Sequence, residues 1–212
     1  MSNIFDLDGG VMAGLSKVAD IAVLSVLYVL FCIPVFTIGA ATTALYYTTV
    51  KSIRRGRGYL WKNFWSAFKS NFGQSTLMWL GLVLLGAVLA FNMYFAKSLG
   101  SGLGTVLLFV YVVLGVAIVM TAMYLFPEQS RFSLTLKDVV KNSFLMSVRH
   151  LPFTLLMIVI LAICLLVGIL APISFLVLPA CGAWMFSLPM EAVLKKYMPK
   201  NIENGEDEWY LE

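Results

Sequence analysis

Charge is what this sequence has least of. Asp, Glu, Lys and Arg make up 12% of its 212 residues, about half their share in soluble domains. Hydrophobic residues reach 60% and the mean hydropathy is +0.89, so a water-soluble fold would lack the polar residues to cover such a core. Histidine is almost missing too. His150 stands alone, with no HExxH pattern and no cysteine nearby, which gives a metalloenzyme nothing to build on. Cys32, Cys164 and Cys181 fall inside apolar runs without CxxC or Cys/His spacing, and they read as small buried side chains rather than disulfide or metal partners. Ser16, Ser25 and Ser174 lack a GxSxG setting, and no Gly-rich loop leads into Lys-Ser/Thr for a nucleotide. The expectation is a protein without catalytic, metal-binding or cofactor-binding residues, and not an enzyme.

What is present instead is a series of long apolar runs. The first, residues 21–38, has 18 residues and as a helix covers about 27 Å, close to the hydrocarbon thickness of a bilayer. Runs at 76–95, 103–126, 151–170 and 173–190 contain no Asp, Glu, Lys or Arg, and each is long enough to cross. Only Ala171 and Pro172 part the last two runs. A tight proline turn is expected there, because one helix through both would exceed any bilayer. Pro34 should end or bend the first run. The sequence therefore predicts an all-α polytopic membrane protein with five transmembrane helices and two amphipathic cytoplasmic helices, as one domain over 1–200 followed by an acidic cytoplasmic tail, 201–212. Within the spans, Asn92, Thr105 and Thr121 are expected to hydrogen-bond between helices, and Gly86 with Ala90 to let two helices approach closely. No acid or Arg sits at a span centre, where ion-coupled transporters usually carry one.

Lys and Arg set the orientation. The first connection holds Lys51, Arg54, Arg55, Arg57, Lys62 and Lys69. Another, between the third and fourth spans, holds Arg131, Lys137, Lys141 and Arg149, and the C-terminus holds Lys195, Lys196 and Lys200. Of the 15 cations, only Lys17 and Lys97 fall on the other side. The positive-inside rule then places the N-terminus outside and the C-terminus in the cytoplasm. A net charge of +4 spread between apolar runs fits anionic lipid better than nucleic acid, which needs a contiguous basic face. The short, acidic segment 1–20 has no positive n-region for a secretory signal.

Both inner connections carry helical periodicity. Trp61, Phe64, Trp65, Phe68 and Phe72 recur on one face of 59–71 and just beyond; Leu136, Val139, Val140, Phe144, Val148 and Leu151 do so over 136–149. Thr135 and Asp138 resemble a capping box with a shortened acid. Arg54, Arg55, Arg57, Trp61, Phe64, Trp65 and Phe68 are the candidate contact residues. They suit an interfacial helix seated in anionic lipid, and equally a protein docking surface, where Trp and Arg are enriched. A shift of 79 positions lays Lys62 and Asn63 on Lys141 and Asn142, and Ser75 on Thr154. Span, inner helix and span thus occur twice in parallel, with the fifth span unpaired.

The stretch FCIPVFTIGAATTALYYTTVKSIRRGRGYLWKNFWSAFKSNFGQSTLMWL resembles the YesL family of bacterial integral membrane proteins, a family of unknown function. The resemblance rests on Pro34, on Thr37 through Ala41, on Ala44, Leu45 and Tyr46, on Phe64 through Phe68, and on Asn71 with Phe72. It implies a multi-pass protein of the cell membrane in Gram-positive-type bacteria, often encoded beside ATP-driven sugar importers and carbohydrate-degrading enzymes, and it supplies no catalytic or ligand residues. Two functions follow as expectations. One is an accessory or interaction subunit that contacts the permease subunits of a carbohydrate importer. The other is a homo-oligomeric transporter or channel for a small solute. Neither inner connection has the EAA-type coupling loop of an importer permease, which favours the accessory role.

Overall fold

The computed structural model describes residues 10–56, 58–100, 102–132 and 134–197, with side chains from Gly14 onward. Among them every regular element is helical: α1 (Gly10–Cys32), α2 (Ile38–Thr48), α3 (Leu60–Ser98), α4 (Gly102–Arg131), α5 (Leu136–Arg149), α6 (Leu151–Leu170) and α7 (Leu178–Leu194). The all-α membrane-like architecture is as the composition requires. Four stretches are long and apolar enough to cross a membrane: Gly14–Cys32, Leu60–Ser98, Gly102–Arg131 and Leu151–Leu170. The fifth expected span differs. Residues Pro172–Leu176 form a 3₁₀ turn, and only the 17 residues of α7 are helical, because Pro172 and Pro179 cannot continue a preceding helix. That leaves α7 about 26 Å long.

The first inner helix also departs from expectation. Segment 59–71 and span 76–95 are one unbroken helix of 39 residues, α3, about 58 Å long. Its aromatic start therefore projects well past a hydrocarbon core of about 30 Å. The matching segment of the second half, α5, does stand apart, and α6 restarts with Pro152 in its first turn. Under the 79-residue shift, Pro152 falls on Gly73. Proline lacks the amide that would bond back along the helix, whereas glycine keeps it, so one connection breaks and the other runs through. Thr135 caps α5 as expected, accepting from the Asp138 amide at 3.4 Å. The short Asp138 carboxylate does not close the usual box and instead accepts from the Thr135 hydroxyl at 2.5 Å.

After Pro34 the chain reverses. The Thr37 hydroxyl lies 2.6 Å from the carbonyls of Phe31 and Pro34, and α2, which the hydropathy does not separate from α1, begins. Helix α2 is the hub of the fold and packs on α1, α3, α4 and α7. Its small residues make that possible. A Cβ on Gly39 would stand 2.4 Å from the Ser75 carbonyl oxygen and 2.7 Å from Trp79 Cβ, so only glycine lets α2 lie against α3 there. Ala40, Ala41 and Ala44 are fully buried beside it.

Most buried residues, from Thr37 to Ile53, Phe64 to Met78, Met123 to Met157 and Ser187 to Leu194, gather at one end. Gln74 donates to the Leu134 carbonyl at 3.1 Å, Gln129 to Asn71 Oδ1 at 3.2 Å, and Arg54 Nη1 to the Ser187 carbonyl at 3.2 Å. Three connections separated in sequence converge there, and the basic residues come with them. Beyond this end the α3–α4 hairpin turns Leu84, Phe91 and Phe109 outward, as a lipid-facing surface requires. Gly86 has no atom within 4 Å of its Cβ position, so among the described residues no helix approaches it. Asn92 and Thr121 donate to Val88 and Ala117 of their own helices instead of to a neighbour.

Candidate functional site

The converging end has an aromatic exterior and a charged interior. Its aromatic part begins with Phe31 in the last turn of α1. The first turns of α3 lay four rings around that side chain, with centroids of Phe68 at 4.9 Å, Phe64 at 5.3 Å, Trp65 at 5.8 Å and Trp61 at 6.5 Å. Helical spacing then divides them. Phe64 and Phe68 are buried and belong to the core with Leu24, Ala41 and Leu45, so neither offers a surface to lipid or partner. Trp61 and Trp65 remain 56% and 45% exposed, their planes parallel within 1° and their ring centroids 6.2 Å apart. Arg54 and Arg55 are exposed on the same connection, at the end of a π-helical turn, Thr49–Arg54, a geometry that recurs at functional sites. Arg57 lies outside the described residues.

The interior holds an ion pair that the sequence does not announce. Arg131 at the end of α4 donates through Nη1 to both oxygens of Glu191 on α7, at 2.9 and 2.8 Å. Their side chains are 0% and 2% exposed. From α2 the Tyr46 hydroxyl donates to Glu191 Oε1 at 2.9 Å. Burial first, and then the Glu191 charge, push the Tyr46 pKa well up, so this phenol stays a donor. One carboxylate thereby ties three helices. Taking two charges out of water costs several kcal/mol per ion, which makes the pair a device for specifying this arrangement more than for stabilising it.

A second layer of polar contacts surrounds it. Ser143 donates to Glu128 Oε2 at 2.7 Å. The Tyr124 and Thr154 hydroxyls are 2.8 Å apart, and those of Thr43 and Ser75 2.9 Å. Ser75 and Thr154, superposed by the 79-residue shift, therefore do equivalent work, each meeting a hydroxyl of another helix. His150 Nε2 lies 3.0 Å from the Tyr197 hydroxyl. Partial burial, then Lys196 and Arg149, hold the His150 pKa below its ordinary value.

Scarcity of acid was the available signal for Glu128 and Glu191. Between Asp20 and Glu203 the only acids are Glu128, Asp138 and Glu191, and an acid retained in so apolar a stretch has a partner. Among the described residues no group of three His, Cys, Asp or Glu is placed to hold a metal ion, and the three cysteines are free thiols. The site can hold helices in register and present two indoles with two guanidinium groups. A family model described as protein of unknown function, DUF624, matches residues 21–93, which takes in Phe31, all of α2 and most of α3 but none of Glu128, Arg131 and Glu191. No curated protein and no solved structure shows a match.

Proposed function

We propose that this chain is a YesL-type, non-enzymatic subunit of the bacterial cell membrane that acts by contact, as an accessory component of an ATP-driven carbohydrate importer. Its basic end faces the cytoplasm, and α7 makes the fifth crossing. The supporting observation is the exposed, parallel Trp61–Trp65 pair, mounted on a helix that packs Phe64 and Phe68 against Phe31. A fixed indole pair with Arg54 and Arg55 nearby in the chain has the composition of an interface hot spot. The importer as partner rests on the resemblance of residues 31–80.

Extraction in mild detergent followed by identification of co-purifying chains tests this. Permease and ATPase subunits should be recovered with the native chain, and the Trp61→Leu/Trp65→Leu variant should lose at least tenfold of them, as removal of a hot-spot ring costs about 2 kcal/mol or more. Recovery of the chain only with copies of itself would favour the homo-oligomeric transporter.

A further inference from the structure

Between the end of α4, α5 and the residues after α7 lies a cavity of 240 Å³. Phe132, Leu134, Leu145 and Met146 line it together with Asn142 and Tyr197, and Glu128 is its one carboxylic acid. Glu128 is 0% exposed. Ser143 donates to Oε2 and the Asn142 side chain adds a hydrogen bond to the carboxylate, while Oε1 keeps no hydrogen-bond partner of its own. A buried acceptor left open is costly, and native structures almost always supply the missing donor. Here the open oxygen belongs to a residue of a mostly apolar cavity.

We propose that this cavity is a binding site for a primary ammonium carried on a short apolar body. The ammonium supplies charge and donors to Glu128, and the chain lies against Phe132, Leu134, Leu145 and Met146. An anion would meet the carboxylate directly and is rejected. A neutral alcohol fills the same volume but brings one weaker donor and no charge. The cavity is smaller than the roughly 300–1,000 Å³ of drug-sized sites, which limits the ligand to a few carbons beyond the amine, or to the headgroup region of an aminophospholipid entering from the membrane side.

Thermal unfolding of the full chain in detergent, with n-hexylamine, n-hexanol or hexanoate added, tests the proposal. Parallel samples in nanodiscs of phosphatidylethanolamine or phosphatidylcholine distinguish a lipid source from a free amine. Hexylammonium should raise the midpoint by several degrees and hexanol and hexanoate should not. Glu128→Gln, which keeps the volume and the acceptor for Ser143, should abolish the response. Leu145→Trp, at a wall position that is 55% exposed and so tolerant of change, should reduce it with Glu128 intact. Stabilisation by phosphatidylethanolamine over phosphatidylcholine that disappears in Glu128→Gln identifies the lipid as the amine source. Equal shifts with hexylamine and hexanol, or an undiminished shift in Glu128→Gln or in Leu145→Trp, would overturn the site.

Discussion

Glu191 is the residue on which most of the interior depends, because Arg131 and Tyr46 both end on its carboxylate. Glu191→Leu removes the carboxylate that neutralises the buried Arg131 charge, a loss of about 3–5 kcal/mol. The double variant Arg131→Met/Glu191→Leu removes both charges and should recover most of that stability in denaturant unfolding. If the double variant is no better than the single one, the pair is not the unit described. Gly39 gives a contrasting case. Gly39→Ala drives a methyl into the Ser75 carbonyl and should cost about 1–3 kcal/mol, whereas Gly81→Ala, with no neighbour within 4 Å, should be neutral or stabilising by up to about 1 kcal/mol. His150 adds a pH dependence. Its folded pKa is lowered, so unfolding takes up protons: its effect is absent above about pH 6.5 and lowers stability as pH falls through that value. His150→Gln should flatten the dependence of the unfolding midpoint between pH 7 and 5, and an unchanged slope would place the effect elsewhere. At this scale the sequence was partly legible. The aromatic spacing was visible, but which rings turn inward was decided by Phe31, a residue some thirty positions away in the chain that no local period can report. Glu191 sat in plain view at the end of an apolar run, and its partner came from another helix.

Single elements differ most from the sequence where a breaker is weak. Hydropathy separates 59–71 from 76–95 because the polarity changes, yet the backbone has no reason to stop at Gly73 and α3 continues. Pro152 supplies that reason in the second half. Spin labels at Lys62 and Leu85, both exposed, should therefore lie about 35 Å apart along one helix with a narrow distribution by pulsed electron resonance. A broad distribution at shorter distance would mean that two helices meet at an angle near Gly73. Conversely, Pro34 marked the end of α1 correctly, but the small residues behind it, beyond the run 21–38, gave no sign of a separate helix. They form α2 because Gly39, Ala40, Ala41 and Ala44 suit burial between helices as well as they suit lipid, and composition cannot tell those two apolar surroundings apart.

Across the whole molecule, charge placement was the most reliable guide. The sequence grouped its cations into three connections, and the fold brings those connections together at one packed end while the rest of α3, α4 and α6 stays apolar and exposed. A reporter active only in the cytoplasm should work fused after Glu212 and fail fused before Met1; the reverse result would put the basic end outside the cell. The most direct test of the account is photo-crosslinking in intact membranes from position 61 or 65, with position 91 as the lipid-facing control, since Phe91 is 71% exposed on the apolar hairpin. Docking through Trp61 and Trp65 predicts adducts of defined mass to importer subunits from 61 and 65 and only lipid adducts from 91. Lipid adducts alone from all three positions would contradict it and leave the Trp61–Trp65 pair as a membrane anchor.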